Sequence, residues 1–169
     1  MEGQGYRPRA LPGGRPPAPP APPGGAEVSG ATYHWVLAYA DGHLSTPLVY
    51  KTLDQLRDGQ DVPAPRLSDE LIQALRDGDP RRLGPALSND LQAPALTLFP
   101  ALRETLAAGR ALGALGALVS GSGPTCFFLA RDAEHATSLA ARIEGAGVCR
   151  SVVTATGPAT GASVADRTG

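Results

Sequence analysis

Ala117-Leu118-Val119-Ser120-Gly121-Ser122-Gly123-Pro124-Thr125-Cys126-Phe127-Phe128-Leu129-Ala130 is the stretch on which the fold turns. It reads as a brief strand, a glycine-rich hexapeptide and a continuous apolar strand. β-branched and aromatic side chains favour the pleated surface, and glycines supply the positive backbone dihedrals that a tight reversal demands. After it, Asp132 opens a helix carrying Ala133, Ala136, Leu139, Ala140 and Ile143, and Ser151-Val152-Val153-Thr154-Ala155 reads as a last strand. Before it, Leu87, Leu91, Ala95, Leu98, Leu102 and Leu106 keep a helical apolar stripe. Pro94 and Pro100 should bend or split that helix, since each removes an amide donor and crowds the preceding turn.

Further towards the amino terminus, Ser68 opens a short helix with Leu71, Ile72 and Leu75 that closes at Gly78-Asp79-Pro80. Ser45-Thr46-Pro47 supplies a cap residue and a proline suited to a first turn, and Val49, Leu53 and Leu56 carry that helix to about Arg57. Tyr33-His34-Trp35-Val36-Leu37-Ala38-Tyr39 is an aromatic and β-branched strand ended by the Asp41-Gly42 turn. The order strand, helices, two strands around a turn, helix, strand predicts an α+β fold. It is a ferredoxin-like two-layer sandwich, an antiparallel sheet with helices on one face.

Residues 1–30 differ from everything that follows. Pro16, Pro17, Pro19, Pro20, Pro22 and Pro23 crowd a segment almost without large apolar side chains, so it cannot bury enough surface to offset its ordering entropy. The expected organisation is a disordered proline- and glycine-rich leader over 1–30, one domain over 31–164 and a small tail over 165–169. The leader reads alternatively as a ligand for a proline-recognition domain, or as sequence translated from another frame.

The 169 residues are 42% hydrophobic and 18% charged, with a formal net charge of −1. A near-neutral chain has no electrostatic pull on nucleic acid or an anionic membrane. Its apolar runs are far shorter than the ~20 residues that cross a bilayer. Neither nucleic acid nor membrane is therefore an expected partner. Cys126 and Cys149 read as two free thiols, in keeping with a cytoplasmic location.

The chemistry-bearing candidates concentrate in the hexapeptide. Amides of a glycine turn can point into one concavity and hold an anion, Ser122 and Thr125 add hydroxyls, and Gly121 and Gly123 let a ligand approach the main chain. A plain connection between two strands explains the same residues. No lysine follows the glycines, so this is no Walker loop, and Ser120 and Ser122 form no nucleophile elbow. Asn89-Asp90 reads as a helix cap or as a brace for a neighbouring loop. His34, His43 and His135 stand apart from cysteines and carboxylates at ligand spacing, so no metal site is expected.

Taken together, Thr32-Tyr33-His34-Trp35-Val36-Leu37, Leu44-Ser45-Thr46-Pro47-Leu48-Val49-Tyr50, Ser88-Asn89-Asp90-Leu91-Gln92, Val119-Ser120-Gly121-Ser122-Gly123-Pro124-Thr125-Cys126 and Ala155-Thr156-Gly157-Pro158 resemble, in order and spacing, the 4-diphosphocytidyl-2-C-methyl-D-erythritol kinases of the GHMP superfamily. The resemblance spans about residues 31–164, and S-G-S-G-P-T is similar to that superfamily's third motif. It implies a GHMP kinase carboxy-terminal domain whose family transfers the ATP γ-phosphoryl group, with Mg2+, to the 2-hydroxyl of 4-diphosphocytidyl-2-C-methyl-D-erythritol in isoprenoid precursor synthesis. It also implies phosphate and substrate contacts at Ser120, Gly121, Ser122, Gly123, Thr125 and Thr46, with Asn89 and Asp90 in support.

The family's catalytic lysine and aspartate and its main ATP loop belong to an amino-terminal domain that these residues do not resemble. Lys51 is the only lysine. The expectation is therefore no catalytic residue here, no ATP held by this chain's own motifs, and a missing amino-terminal kinase domain as partner. The chain reads as a truncated or split product, inactive alone. Alternatives are a fragment of another GHMP kinase, of homoserine or mevalonate kinase type, and a non-catalytic ferredoxin-like ligand-binding or regulatory domain.

Overall fold

The computed structural model describes residues 30–62, 64 and 66–159, so the leader and tail expectations lie almost wholly outside the described residues. Four strands form one sheet: β1 (Tyr33–Tyr39), β2 (Gly116–Val119), β3 (Cys126–Ala130) and β4 (Ser151–Gly157). Their order is β2-β3-β1-β4 and every pairing is antiparallel. Both central strands are the most apolar segments, as sheet burial requires. The six helices are α1 (Thr46–Leu56), α2 (Asp69–Asp77), α3 (Pro80–Ala86), α4 (Gln92–Leu98), α5 (Leu102–Ala111) and α6 (Ala133–Gly145). The strand order and the α6 crossover are those of the expected ferredoxin-like plan.

Alternation along β1 decides which layer each side chain joins. Val36, Ala38 and Ala40 meet Cys126, Phe128 and Ala130 of β3, and with Leu102 and Leu106 of α5 and Leu139 and Ile143 of α6 they make the principal core. Each fully buried Phe or Leu there contributes roughly 1.5–3 kcal/mol. Tyr33 and Trp35 point the other way. At that end of the sheet Tyr33 and Leu129 are covered by Ala74 of α2 and Leu83 of α3, a smaller second cluster beyond the main helical layer.

The continuous stripe from Leu87 to Leu106 is broken as the prolines require. α4 stops at Leu98, Pro100 lies in the break and α5 restarts at Leu102, while Pro94 is accommodated in the first turn of α4. Leu87 and Leu91 fall outside both helices. The expected closure at Gly78-Asp79-Pro80 is also a new start. Gly78 ends α2 in the left-handed conformation, and the Asp79 carboxylate then accepts from the Arg81 amide to open α3, with Pro80 in its first turn.

Candidate functional site

The glycine hexapeptide is a surface turn, and two of its own bonds shape it. The Ser120 amide donates to the Thr125 carbonyl, and the Gly123 amide to the Ser120 carbonyl, each at 2.8 Å. Gly121 and Gly123 have φ of +52° and +81°. Gly123 is also a packing requirement, because a Cβ there would lie 3.0 Å from Val119 Cγ1 and 3.2 Å from Leu44 Cδ1. At Gly121 a Cβ would meet nothing within 4 Å, so that side of the turn is open. Among the described residues, the amides of Gly121, Ser122 and Thr125 have no protein acceptor. Amides left without acceptors in a glycine-rich turn are the kind of donors that can hold an anion.

Asn89 is the brace. Its Nδ2 donates to the carbonyls of Val119 and Gly121, both at 2.8 Å, and its Oδ1 accepts from the Leu91 amide at 3.0 Å. All but one of the bonds this amide group can form are thus used to fix the turn against the start of α4. Asp90 does something different. Its carboxylate accepts from Arg57 Nη2 at 2.8 Å, tying the end of α1 to the same loop.

Thr46 completes the arrangement from a distant part of the chain. Its hydroxyl and that of Ser122 share a hydrogen bond of 2.9 Å across 76 positions of sequence. The start of α1 therefore stands beside the turn. Ser45 makes no side-chain cap bond there, and Pro47 has no amide. The amides of Thr46 and Leu48 consequently lack acceptors among the described residues, and the partial positive charge of a helix start adds to that of the turn. Of the residues singled out from the sequence, Ser120 to Thr125 form the turn, Thr46 bonds to it and Asn89 braces it, whereas Asp90 makes no bond to the turn. Thr125 contributes its backbone to the turn; Asp90 acts only through Arg57.

Arg57 was not legible as a site residue, nor was Gln92, whose Oε1 accepts from the Val119 amide at 3.0 Å just below the turn. Neither carries a local signal, because each acts across a long-range contact. The other polar groups belong to the fold. Burial, and next the neighbouring Cys149, push the Cys126 thiol up to about 12, with Arg110 opposing, so Cys126 is no nucleophile. His135 is held below the usual imidazole range, first by burial and then by Arg131, and its Nδ1 accepts from the Arg131 amide. Among the described residues, no three His, Cys, Asp or Glu side chains cluster. None of the helices described is long and apolar enough to cross a membrane.

Residues 71–162 match the family model described as GHMP kinases C terminal. This chain belongs to that family. It is 58% identical over 133 residues to a 4-diphosphocytidyl-2-C-methyl-D-erythritol kinase of Thermobifida fusca, covering 79% of this chain and 43% of the relative. A kinase of the same name from Nocardia farcinica is 57% identical over 141 residues, with 82% and 45% covered. The chain therefore spans less than half the length of these relatives. Among solved structures, 4-(cytidine 5'-diphospho)-2C-methyl-D-erythritol kinase superposes with a TM-score of 0.57 at 31% identity, over 74% of this chain and 42% of that one. A mevalonate kinase from L. major at 20% identity, TM-score 0.56, shows that the fold is shared across GHMP kinases.

Proposed function

We propose that this chain forms one wall of a phosphoryl-transfer site that passes the ATP γ-phosphoryl group to the 2-hydroxyl of 4-diphosphocytidyl-2-C-methyl-D-erythritol. The observation that carries the reading is the Thr46–Ser122 bond, which sets a helix start with open amides beside a glycine turn with open amides. Phosphoryl transfer depends on positioning and on stabilising charge over the transferred oxygens, more than on covalent chemistry. Prearranged backbone donors supply both without reorganising as the reaction proceeds. In this reading the amides of Gly121, Ser122 and Thr125 face the phosphates of the nucleotide, Thr46 lies near the methylerythritol portion, and Asn89 holds the turn in place.

The residues present fit an anion and not a metal. The one carboxylate beside the brace, Asp90, is held by Arg57. Any Mg2+ that accompanies the nucleotide would find its ligands outside the described residues. Among the described residues no general base is nominated beside the turn; Lys51, the only lysine of the chain, lies on α1. The base and the remaining nucleotide contacts would come from a second domain, the part of its relatives that this chain does not match.

The test is reconstitution. The chain is co-expressed with the unmatched portion of the Thermobifida fusca relative, and phosphate transfer to the diphosphocytidyl alcohol is followed by phosphorus NMR. Turnover in the mixture, none from either piece alone, and a lowered kcat with Asn89→Ala are the expected results. The reading fails if the mixture is inert while the relative's own matching half restores turnover. Calorimetric binding of an amino acid in place of the diphosphocytidyl alcohol would favour a non-catalytic ligand-binding domain.

A further inference from the structure

The two outer strands of the sheet are finished in different ways. Along β2, side chains from α4, α5 and the loop before α4 occupy outward backbone groups. Arg110 Nη2 donates to the Ala117 carbonyl at 2.9 Å, Gln92 Oε1 accepts from the Val119 amide at 3.0 Å, and Asn89 Nδ2 donates to the Val119 carbonyl at 2.8 Å. Just before it α3 closes in, so that a Cβ on Gly84 would lie 2.0 Å from the Leu115 carbonyl oxygen. Along β4 nothing comparable is found. Among the described residues β4 pairs with β1 alone, and the one side-chain bond found to its backbone is that of the Cys149 thiol with Ser151, at the strand's first residue.

An open edge is a template for another strand, and proteins ordinarily blunt it with charge, proline or a bulge. Ser151-Val152-Val153-Thr154-Ala155-Thr156-Gly157 carries none of these charges or prolines, and its β-branched residues favour pairing. Its side chains suit a partner on both faces. Val153, 45% exposed, and Ala155 continue the open apolar face made by Trp35, Leu37 and Phe127, around a shallow depression of about 390 Å3. On the helical face, Thr154 and Thr156 border a polar groove with His34 and Thr137.

We propose that β4 is a self-association edge, at which two copies of this chain pair β4 with β4 antiparallel about a two-fold axis. The uncharged strand makes a second copy the fitting occupant, because two identical strands then meet without like-charge repulsion. The register of full overlap sets Thr154 opposite Thr154 of the second copy and Val153 opposite its Ala155. The apolar faces then become continuous across the seam. Arg150, next to one end of β4, lies at the far end from Arg150 of the second copy, so the nearest charges are also kept apart. The strand-adjacent residues 160–169 are a competitor from within the chain.

Sedimentation velocity of the full chain over a concentration series tests this. The wild type is expected to pass from monomer to dimer as concentration rises. Thr154→Lys and Thr154→Glu should each remain monomeric, while their equimolar mixture regains the dimer. Thr154 is exposed, so circular dichroism should be unchanged, and Val153→Lys provides a second charged block should the first variant misfold. A wild type monomeric throughout, or a Thr154→Lys chain that dimerises as well as the wild type, overturns the proposal. A chain ending at Ala159 that dimerises when the full chain does not shows the tail on this edge, and overturns it too.

Discussion

Helices α1 and α6 begin in opposite ways. At α6 the protein satisfies itself. The Asp132 carboxylate accepts from the His135 amide at 2.7 Å and from Arg131 Nε at 3.0 Å, and His135 Nδ1 in turn accepts from the Arg131 amide. At α1 the cap position is idle, and the hydroxyl of Thr46 is directed to Ser122 on the glycine turn instead. A closed start stabilises a helix, whereas an open one beside further open amides leaves donors for a ligand. The difference separates structural polar chemistry from the chemistry assigned to the site.

The comparison breaks most severely at Gly123. Gly123→Val forces a branched side chain into a positive φ and against Val119 and Leu44. Denaturant titration should show a loss of about 3 kcal/mol, with tripolyphosphate binding abolished by calorimetry. Asn89→Ala comes next. It strands the Val119 and Gly121 carbonyls, costs about 2 kcal/mol, and loosens the turn while the α6 start keeps its bonds.

Ser45→Asp sharpens the contrast by giving α1 the self-made cap of α6. Stability should rise by about 0.5–1 kcal/mol, since Ser45 makes no cap bond and the aspartate would supply one. Tripolyphosphate affinity should fall, because a carboxylate then occupies the amides. Thr46→Ala should also leave the melting temperature nearly unchanged, because the lost bond is exposed, yet weaken the same binding.

The smallest effect is the acid response of α6. The bond from the His135 amide, and next the bond from Arg131, hold the Asp132 carboxyl below its ordinary value of 3.8. A depressed carboxylate stabilises the fold above its unfolded pKa, and that contribution disappears as pH falls through the lower folded value. Carbon-13 NMR of the Asp132 carboxyl should show the low titration, and Asp132→Asn should remove this part of the acid sensitivity without touching ligand binding.

Much of the architecture was legible along the chain. β1 and β3 run over the residues that their aromatic and apolar patterns indicate, and α2 and α6 begin at the Ser68 and Asp132 caps. The helical stripe was half legible: Pro100 announced the break, but Leu87 and Leu91 kept a helical spacing without being helical. α3 escaped notice because Asp79-Pro80 reads equally as a stop and as a start. At the site, the glycines marked the turn and Asn89 was legible as a possible brace. Arg57 and Gln92 were not, because a polar side chain on a helix has no local mark of the distant backbone or carboxylate it will meet.

Periodicity, caps and glycine positions sufficed for the α+β class, the strand order to be expected and the existence of an exposed glycine turn between two strands, since all of these follow from backbone preferences within a few residues. Only the tertiary structure decided that α1 starts against that turn, that helix side chains seal β2, and that β4 is left unpaired on one side among the described residues. Those outcomes depend on which surfaces are brought together when the two layers close over Phe128 and its neighbours. Packing chooses such partners by shape and burial across the whole domain, and no short window of sequence carries that choice.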